Sequence, residues 1–149
     1  MSVTFHHLPK KIFQGKTNQL KVWLNQIAIS EKKVIGKINY IFCGDEDLIK
    51  INKEYLSHDT FTDIITFDYG SANEISGEIY ISTDRVTENA TSFKVSESEE
   101  MIRVIAHGIL HLCGYKDKKI KERKLMSLRE DWCLKEWKKS SAKKTKLKP

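Results

Sequence analysis

Leu20, Trp23, Leu24 and Ile27 recur at i, i+3, i+4 and i+7, the spacing of one apolar helical face, and Thr17 stands where a capping hydroxyl would open that helix. A short N-terminal strand precedes it. Further along, the period changes. "GKINYIFCG" and "DIITFDYG" are rich in β-branched and aromatic residues bounded by glycine and acids, and "GEIYIS" follows the turn-forming "GSANEIS". Three strands are predicted, the last two joined as a hairpin. Between the first two, "DEDLIKINKEYL" offers Asp45 as a cap and Leu48, Ile51 and Tyr55 on one face, which reads as a helical crossover and makes the sheet mixed. Residues 84 to 92 are weakly helical. Ser96 and Glu99 form a capping box that opens a helix running to about Cys113. A final helix, from about Lys119 to Lys138, presents Leu125, Leu128 and Trp132 as its buried stripe.

The expected fold is therefore α+β: a single domain with a central mixed four-stranded sheet packed with helices. Its 149 residues, 40% of them hydrophobic, suffice for one core and hardly for two. The formal charge of +6 is concentrated at one end. "KKSSAKKTKLKP" holds six lysines and no acid, and setting those six aside leaves 20 basic residues against 20 acidic ones. Residues 1–138 are expected to form the domain and residues 139–149 a disordered basic tail, because so polar a segment buries too little surface to offset its ordering entropy. Such a tail suits a polyanion such as RNA, or serves only as a solubilising end.

No run approaches the roughly 18 apolar residues that span a bilayer, and "MSVTFHHLPKKIF" lacks the order of a secretory signal, so no membrane partner and a cytoplasmic location are expected. Cys43, Cys113 and Cys133 are odd in number and have no CxxC spacing, which argues against a disulfide framework or a four-cysteine zinc site. They read as small buried apolar residues.

The candidate chemistry lies in "AHGILHLCGYKDKK", residues 106–119. Residues four apart on a helix differ by about 40° in direction and about 6 Å in height, so His107 and His111 project side by side and can reach one ion. Their helix is apolar nearly all round, which places it inside the fold. Chance alone gives that histidine spacing in about one such chain in eight, so the pair by itself is a weak signal, and Gly114 and Asp117 strengthen it. Gly114 can take the left-handed conformation that ends a helix, and the chain can then reverse to bring Asp117 back as a third ligand. Two histidines and a carboxylate with an open fourth position form the donor set of catalytic zinc, one ion per chain. Such zinc lowers the pKa of bound water to about 7 and polarises phosphoryl or carbonyl oxygens, which points to hydrolysis.

These residues resemble a known family. "HGILHLCGYKD" is similar to the HGxLHLxGYDH signature of the YbeY-type rRNA maturation endoribonucleases. "NKEYLSHDTFTDIITF" is similar to its N-x-x-Y-R-x-x-D-x-P-T-D-V-L-S-F segment, and "GEIYIS" to its G-D-I-x-I-S strand, in the same order. The resemblance covers about residues 52–117. It implies an α+β fold with a central mixed sheet and a single-strand-specific, metal-dependent endoribonuclease. Such an enzyme acts in maturation of the small-subunit rRNA 3′ end and in ribosome quality control, with single-stranded RNA, the rRNA precursor and the ribosome or its proteins as partners. There are two departures. The family's third histidine falls on Asp117, and its arginine after the tyrosine falls on Leu56, which can make no electrostatic contact. Lys53, Lys116 and Lys118 are the nearest cations in sequence. His58 either approaches the site as a proton carrier or sits beside Asp59 as an exposed turn residue, and Thr62 and Asp63 are expected to shape the turn and strand entry.

Two other classes compete. The H-x3-H-x2-G-x2-D spacing also resembles zincin-type metalloproteases of the metzincin kind, but their base glutamate is replaced by Gly108. A non-catalytic ribosome-associated binding protein would account for the basic tail and the missing arginine.

Overall fold

The alternation of apolar and polar residues in Val34–Cys43 puts Ile35, Ile38, Tyr40 and Phe42 on a buried face, and this strand, β2, is the centre around which the sheet assembles. The structure, a computed structural model, describes residues 2–56 and 62–146, with side chains through residue 142. The other strands are β1 (Ser2–His6), β3 (Ile64–Asp68) and β4 (Glu74–Ser82). The helices are α1 (Lys10–Phe13), α2 (Thr17–Ser30), α3 (Asp45–Leu56), α4 (Thr83–Phe93), α5 (Glu97–Leu112) and α6 (Ile120–Lys146). The sheet order is β1-β2-β4-β3, with β1 and β4 parallel to β2 and β3 antiparallel to β4. The fold is α+β with a four-stranded mixed sheet, as expected. α3 carries the chain from β2 out to the edge position of β3, and the hairpin then returns it as β4, inserted between β2 and β3.

Helix α5 lies against this sheet. Gly108 makes the approach possible: a Cβ there would meet Ile79 Cγ2 at 2.8 Å and Ile64 Cδ1 at 3.2 Å. Met101, Ile105, Ile109 and Leu112 are buried with Gly108, and Tyr40 Oη donates to the Ile105 carbonyl at 2.7 Å. Trp23 on α2 donates to the Cys133 carbonyl of α6 at 2.8 Å and packs on Trp137 at 5.2 Å between ring centroids. The helical layer is thereby tied together behind α5.

Several local expectations are corrected. Thr17 is the first residue of α2, and the capping position falls on Lys16, with no side-chain cap. Asp45 opens α3, but its carboxylate accepts from Ser82 Oγ at 2.7 Å and pairs with Arg85, joining α3 to the start of α4. Ser96 does accept from the Glu99 amide at 3.0 Å, whereas the Glu99 carboxylate pairs with Lys138. Tyr55 is 63% exposed, and Asn52 is buried with Leu48 on α3. Cys133 is buried, but Cys43 and Cys113 are half-buried.

The largest correction concerns α6. Leu125 and Leu128 are exposed, and the buried stripe is Met126, Glu130, Cys133, Leu134 and Trp137. Leucines are the more apolar residues, so a pattern reading selects them. The core-facing row instead contains a glutamate, whose partners lie on α5. The helix also continues to Lys146, past the expected end at Lys138, and Gln19 donates to Ser140 Oγ at 3.0 Å and Ser141 Oγ at 2.8 Å.

Candidate metal centre

The polar stripe of α5, formed by Glu100, Arg103, His107 and His111, faces a cavity walled by the edge strand β3, the loop after α5 and α6. α5 ends in a Schellman turn: the Tyr115 amide donates to the Leu110 carbonyl and the Gly114 amide to the His111 carbonyl, both at 3.0 Å. Gly114 has φ of +109°, where a side chain would be strained. The turn has two products. It reverses the chain so that Asp117 returns beside the histidines, and it aims the Tyr115 carbonyl at His111.

The three expected site residues are brought together. His107 Nε2 and His111 Nε2 are 2.8 Å apart, and Asp117 Oδ2 lies 3.1 Å from the first and 3.2 Å from the second. Donors bound at 2.0–2.2 Å around tetrahedral zinc are separated by about 3.3 Å, so a few tenths of an ångström of outward motion would fit the ion. Together they form the one cluster of at least three potential ligands found among the described residues.

The hydrogen bonds of the far ring nitrogens decide what this cluster is suited to hold. His111 Nδ1 lies 2.9 Å from the Tyr115 carbonyl, which can only accept, so Nδ1 carries the proton. His107 Nδ1 lies 2.5 Å from the carboxylate of Glu130 and likewise donates. In the neutral rings both Nε2 atoms therefore present lone pairs to one another and to the Asp117 carboxylate. Three acceptors at these distances with no hydrogen between them repel unless a cation fills the space. This arrangement fits a divalent metal, with His107 and His111 oriented as ligated imidazoles usually are. Burial alone would lower the His107 pKa. The hydrogen bond and charge of Glu130, with Asp117 and Asp63 beyond, outweigh it and raise the pKa, so a proton competes with the metal for this ring.

Glu130 and Arg103 were missed by sequence reasoning. Glu130 is 6% exposed and shared: one oxygen meets His107 and the other accepts from Arg103 Nη1 at 3.0 Å, while Arg103 Nη2 reaches Asp131 at 2.7 Å. Its only signal in the sequence is a glutamate on the row that contains Met126, Cys133 and Trp137. Glu100 lines the same cavity, and burial, reinforced by Asp63, pushes its carboxyl up to about 7. Asp63 is itself raised, chiefly by burial. It faces the cavity as well as opening β3, while Thr62 Oγ1 donates to the Ile64 carbonyl within the turn. Leu56, Lys116 and Lys118 also line the cavity, Lys53 is exposed on α3, and His58 lies outside the described residues.

Gly108 bears on the competing chemistry. It is buried against Ile79 and Ile64, on the side of α5 that adjoins the histidines and meets the sheet, with no room for a glutamate. The base that a zincin protease needs is therefore absent in residue type and has no space. The cavity itself is open to solvent and, at about 1230 Å³, exceeds the 300–1,000 Å³ of most small-molecule pockets, which suits part of a polymer.

A mixed sheet backed by an HxxxH helix, with a reversed-chain carboxylate beside the histidines and an open cavity in front, is an arrangement suited to a metal-dependent hydrolase. Within that class the chain belongs to the endoribonuclease YbeY family, whose model, described as "Endoribonuclease YbeY", matches residues 6–138. The Endoribonuclease YbeY of Flavobacterium johnsoniae is 60% identical over 109 residues, 73% of this chain and 78% of that one. The protein of the same name from Bacteroides thetaiotaomicron is 42% identical over 134 residues, 90% of this chain and 98% of that one. A Thermotoga maritima protein solved in solution shares the fold with a TM-score of 0.66 and 28% identity, covering 92% of this chain and 89% of that one.

Proposed function

We propose that this chain is a zinc-dependent endoribonuclease that cuts single-stranded RNA, acting on the small-subunit rRNA precursor at its 3′ end. Family membership supports RNA cleavage. The observation that carries the metal-dependent reading is the convergence of two Nε2 lone pairs and the Asp117 carboxylate, each far nitrogen already held by Glu130 or the Tyr115 carbonyl. When bound, zinc supplies Lewis acidity, polarising a phosphoryl oxygen and making water more acidic.

The chain's own residues do the rest. His107, His111 and Asp117 would hold the ion, and the Asp117 side chain, 40% exposed, puts this ligand set within reach of substrate. Glu130 keeps His107 in the tautomer that binds metal. Glu100, close to half-protonated near neutrality, can give or take a proton at the cavity wall. His58, as a proton carrier, would act from the segment before Thr62. A cytoplasmic site of action and contact with the ribosome or its proteins complete the proposal, since that is where this substrate is made and matured.

The test is an assay with a single-stranded rRNA 3′-end fragment and the same fragment annealed to its complement, using zinc-loaded protein. Cleavage of the first and protection of the second is expected. A metal-loaded protein that binds the fragment without cutting it would favour the binding-protein class.

A further inference from the structure

Breaking a phosphodiester bond builds negative charge on the non-bridging oxygens, and a fixed cation facing them lowers the barrier. Leu56 occupies the position where the family pattern has arginine, and it lines the cavity, 44% exposed, without supplying one. The cations among the described lining residues are Arg103, Lys116, Lys118 and Arg123. Arg103 is engaged at both ends of its guanidinium, by Glu130 and Asp131, so its charge is compensated. Lys116 and Lys118 are exposed ammonium groups on flexible stems, which act as point charges without a preferred direction.

Arg123 differs from all three. Its Nη1 donates to the Lys118 carbonyl at 2.7 Å, and among the described residues no carboxylate forms an ion pair with it. The acceptor is neutral, so the full positive charge remains. Arg123 is exposed, as the two lysines are, and this bond is what gives its guanidinium a direction, tying it to the residue next to Asp117. One Nη1 proton is used by that bond, and the edge formed by Nε and Nη2, with its two parallel N–H groups, meets no partner among the described residues and can take a bidentate oxyanion.

We propose that Arg123 is the phosphate-binding residue of this active site, gripping the phosphodiester held at the metal centre and taking over from the arginine that Leu56 replaces. This inference rests on the nuclease reading. It places the grip on α6, on a different element from the one the family pattern uses.

The test compares zinc-loaded wild type, Arg123→Ala, Arg123→Lys, Leu56→Arg and the double variant Arg123→Ala/Leu56→Arg. Arg123→Ala should lower kcat/KM for single-stranded RNA by roughly 100-fold, the loss typical of one transition-state donor. Its zinc affinity, measured by chelator competition, should stay within about twofold of wild type. Arg123→Lys should recover only part of the activity, and the double variant should regain more, because the new guanidinium enters the same cavity. Titration of the zinc-loaded proteins with inorganic phosphate supplies a readout independent of cleavage: Arg123→Ala should bind it more weakly. Equal phosphate affinity in wild type and Arg123→Ala overturns the proposal, even if no RNA is cut. Cleavage that survives Arg123→Ala unchanged, or that falls only in step with zinc affinity, overturns it too. Absence of cleavage in wild type with phosphate binding still dependent on Arg123 would fault the nuclease reading alone.

Discussion

Asp117 is the residue on which the metal centre turns, because it alone comes from outside α5. Asp117→Ala should reduce zinc affinity more than about 100-fold, beyond the range usual for outer partners, whereas Asp117→His should retain most of it, imidazole being an equally good donor. Chelator competition decides between them, and equal affinity in Asp117→Ala and wild type would place the third ligand elsewhere. Glu130→Ala should cost about 10–100-fold in zinc affinity by releasing the His107 tautomer, and Glu130→Gln less, since its amide oxygen can still accept from Nδ1. The same titration checks this pair, with ¹⁵N chemical shifts of His107 reporting the tautomer. Glu100 gives a pH signature. Burial and Asp63 raise its pKa from 4.5 to about 7, so the folded state binds this proton more tightly than the unfolded chain does. Its contribution to stability is complete below about pH 4.5 and is lost as pH rises through about 7. Glu100→Gln should remove that decline, raising the melting temperature at pH 8 relative to wild type. A parallel pair of melting curves from pH 5 to 8 would contradict it. At this scale the two histidines and Asp117 could be read from the sequence because they sit within one turn-and-return of chain. Glu130 could not, since its role depends on how α6 packs on α5.

At the scale of elements, helices and strands were legible wherever their period was not interrupted by function. α5 was placed by its apolar run and its Ser96 cap, and the β3–β4 hairpin by its turn residues. β4 nonetheless begins at Glu74, inside the stretch expected to be turn, because pairing with β2 orders residues that have no strong preference of their own. α6 was misread in its buried face, where Glu130 breaks the apolar pattern, and in its end, where Gln19 holds Ser140 and Ser141. The basic end therefore begins as helix, and a truncation that tests its role should spare those serines. Deleting residues 143–149 removes four lysines and should weaken single-stranded RNA binding while leaving zinc bound. The slope of log affinity against log salt should become shallower by roughly 0.7 for each phosphate that the shortened chain no longer neutralises. Anisotropy titrations across a salt series measure it, and an unchanged slope would make the segment a solubilising end.

For the whole molecule, composition and alternation were enough for one α+β domain with a mixed sheet, but not for the order of its strands. Inserting β4 between β2 and β3 is a long-range choice, and it leaves β3 as the edge that walls the cavity. Gly108 couples that architecture to the chemistry, letting α5 sink onto Ile79 and Ile64 while the adjoining face presents the histidines. The central claim is that this face holds one zinc ion through His107, His111 and Asp117 and that RNA is cut there. It is tested most directly by titrating metal-free protein with zinc while following bound metal and cleavage of a single-stranded rRNA fragment in the same samples. Cleavage should rise with bound zinc, level off at one ion per chain, and be lost together with tight zinc binding in His107→Ala. Cleavage by the metal-free protein, or an undiminished rate in His107→Ala, would contradict the account.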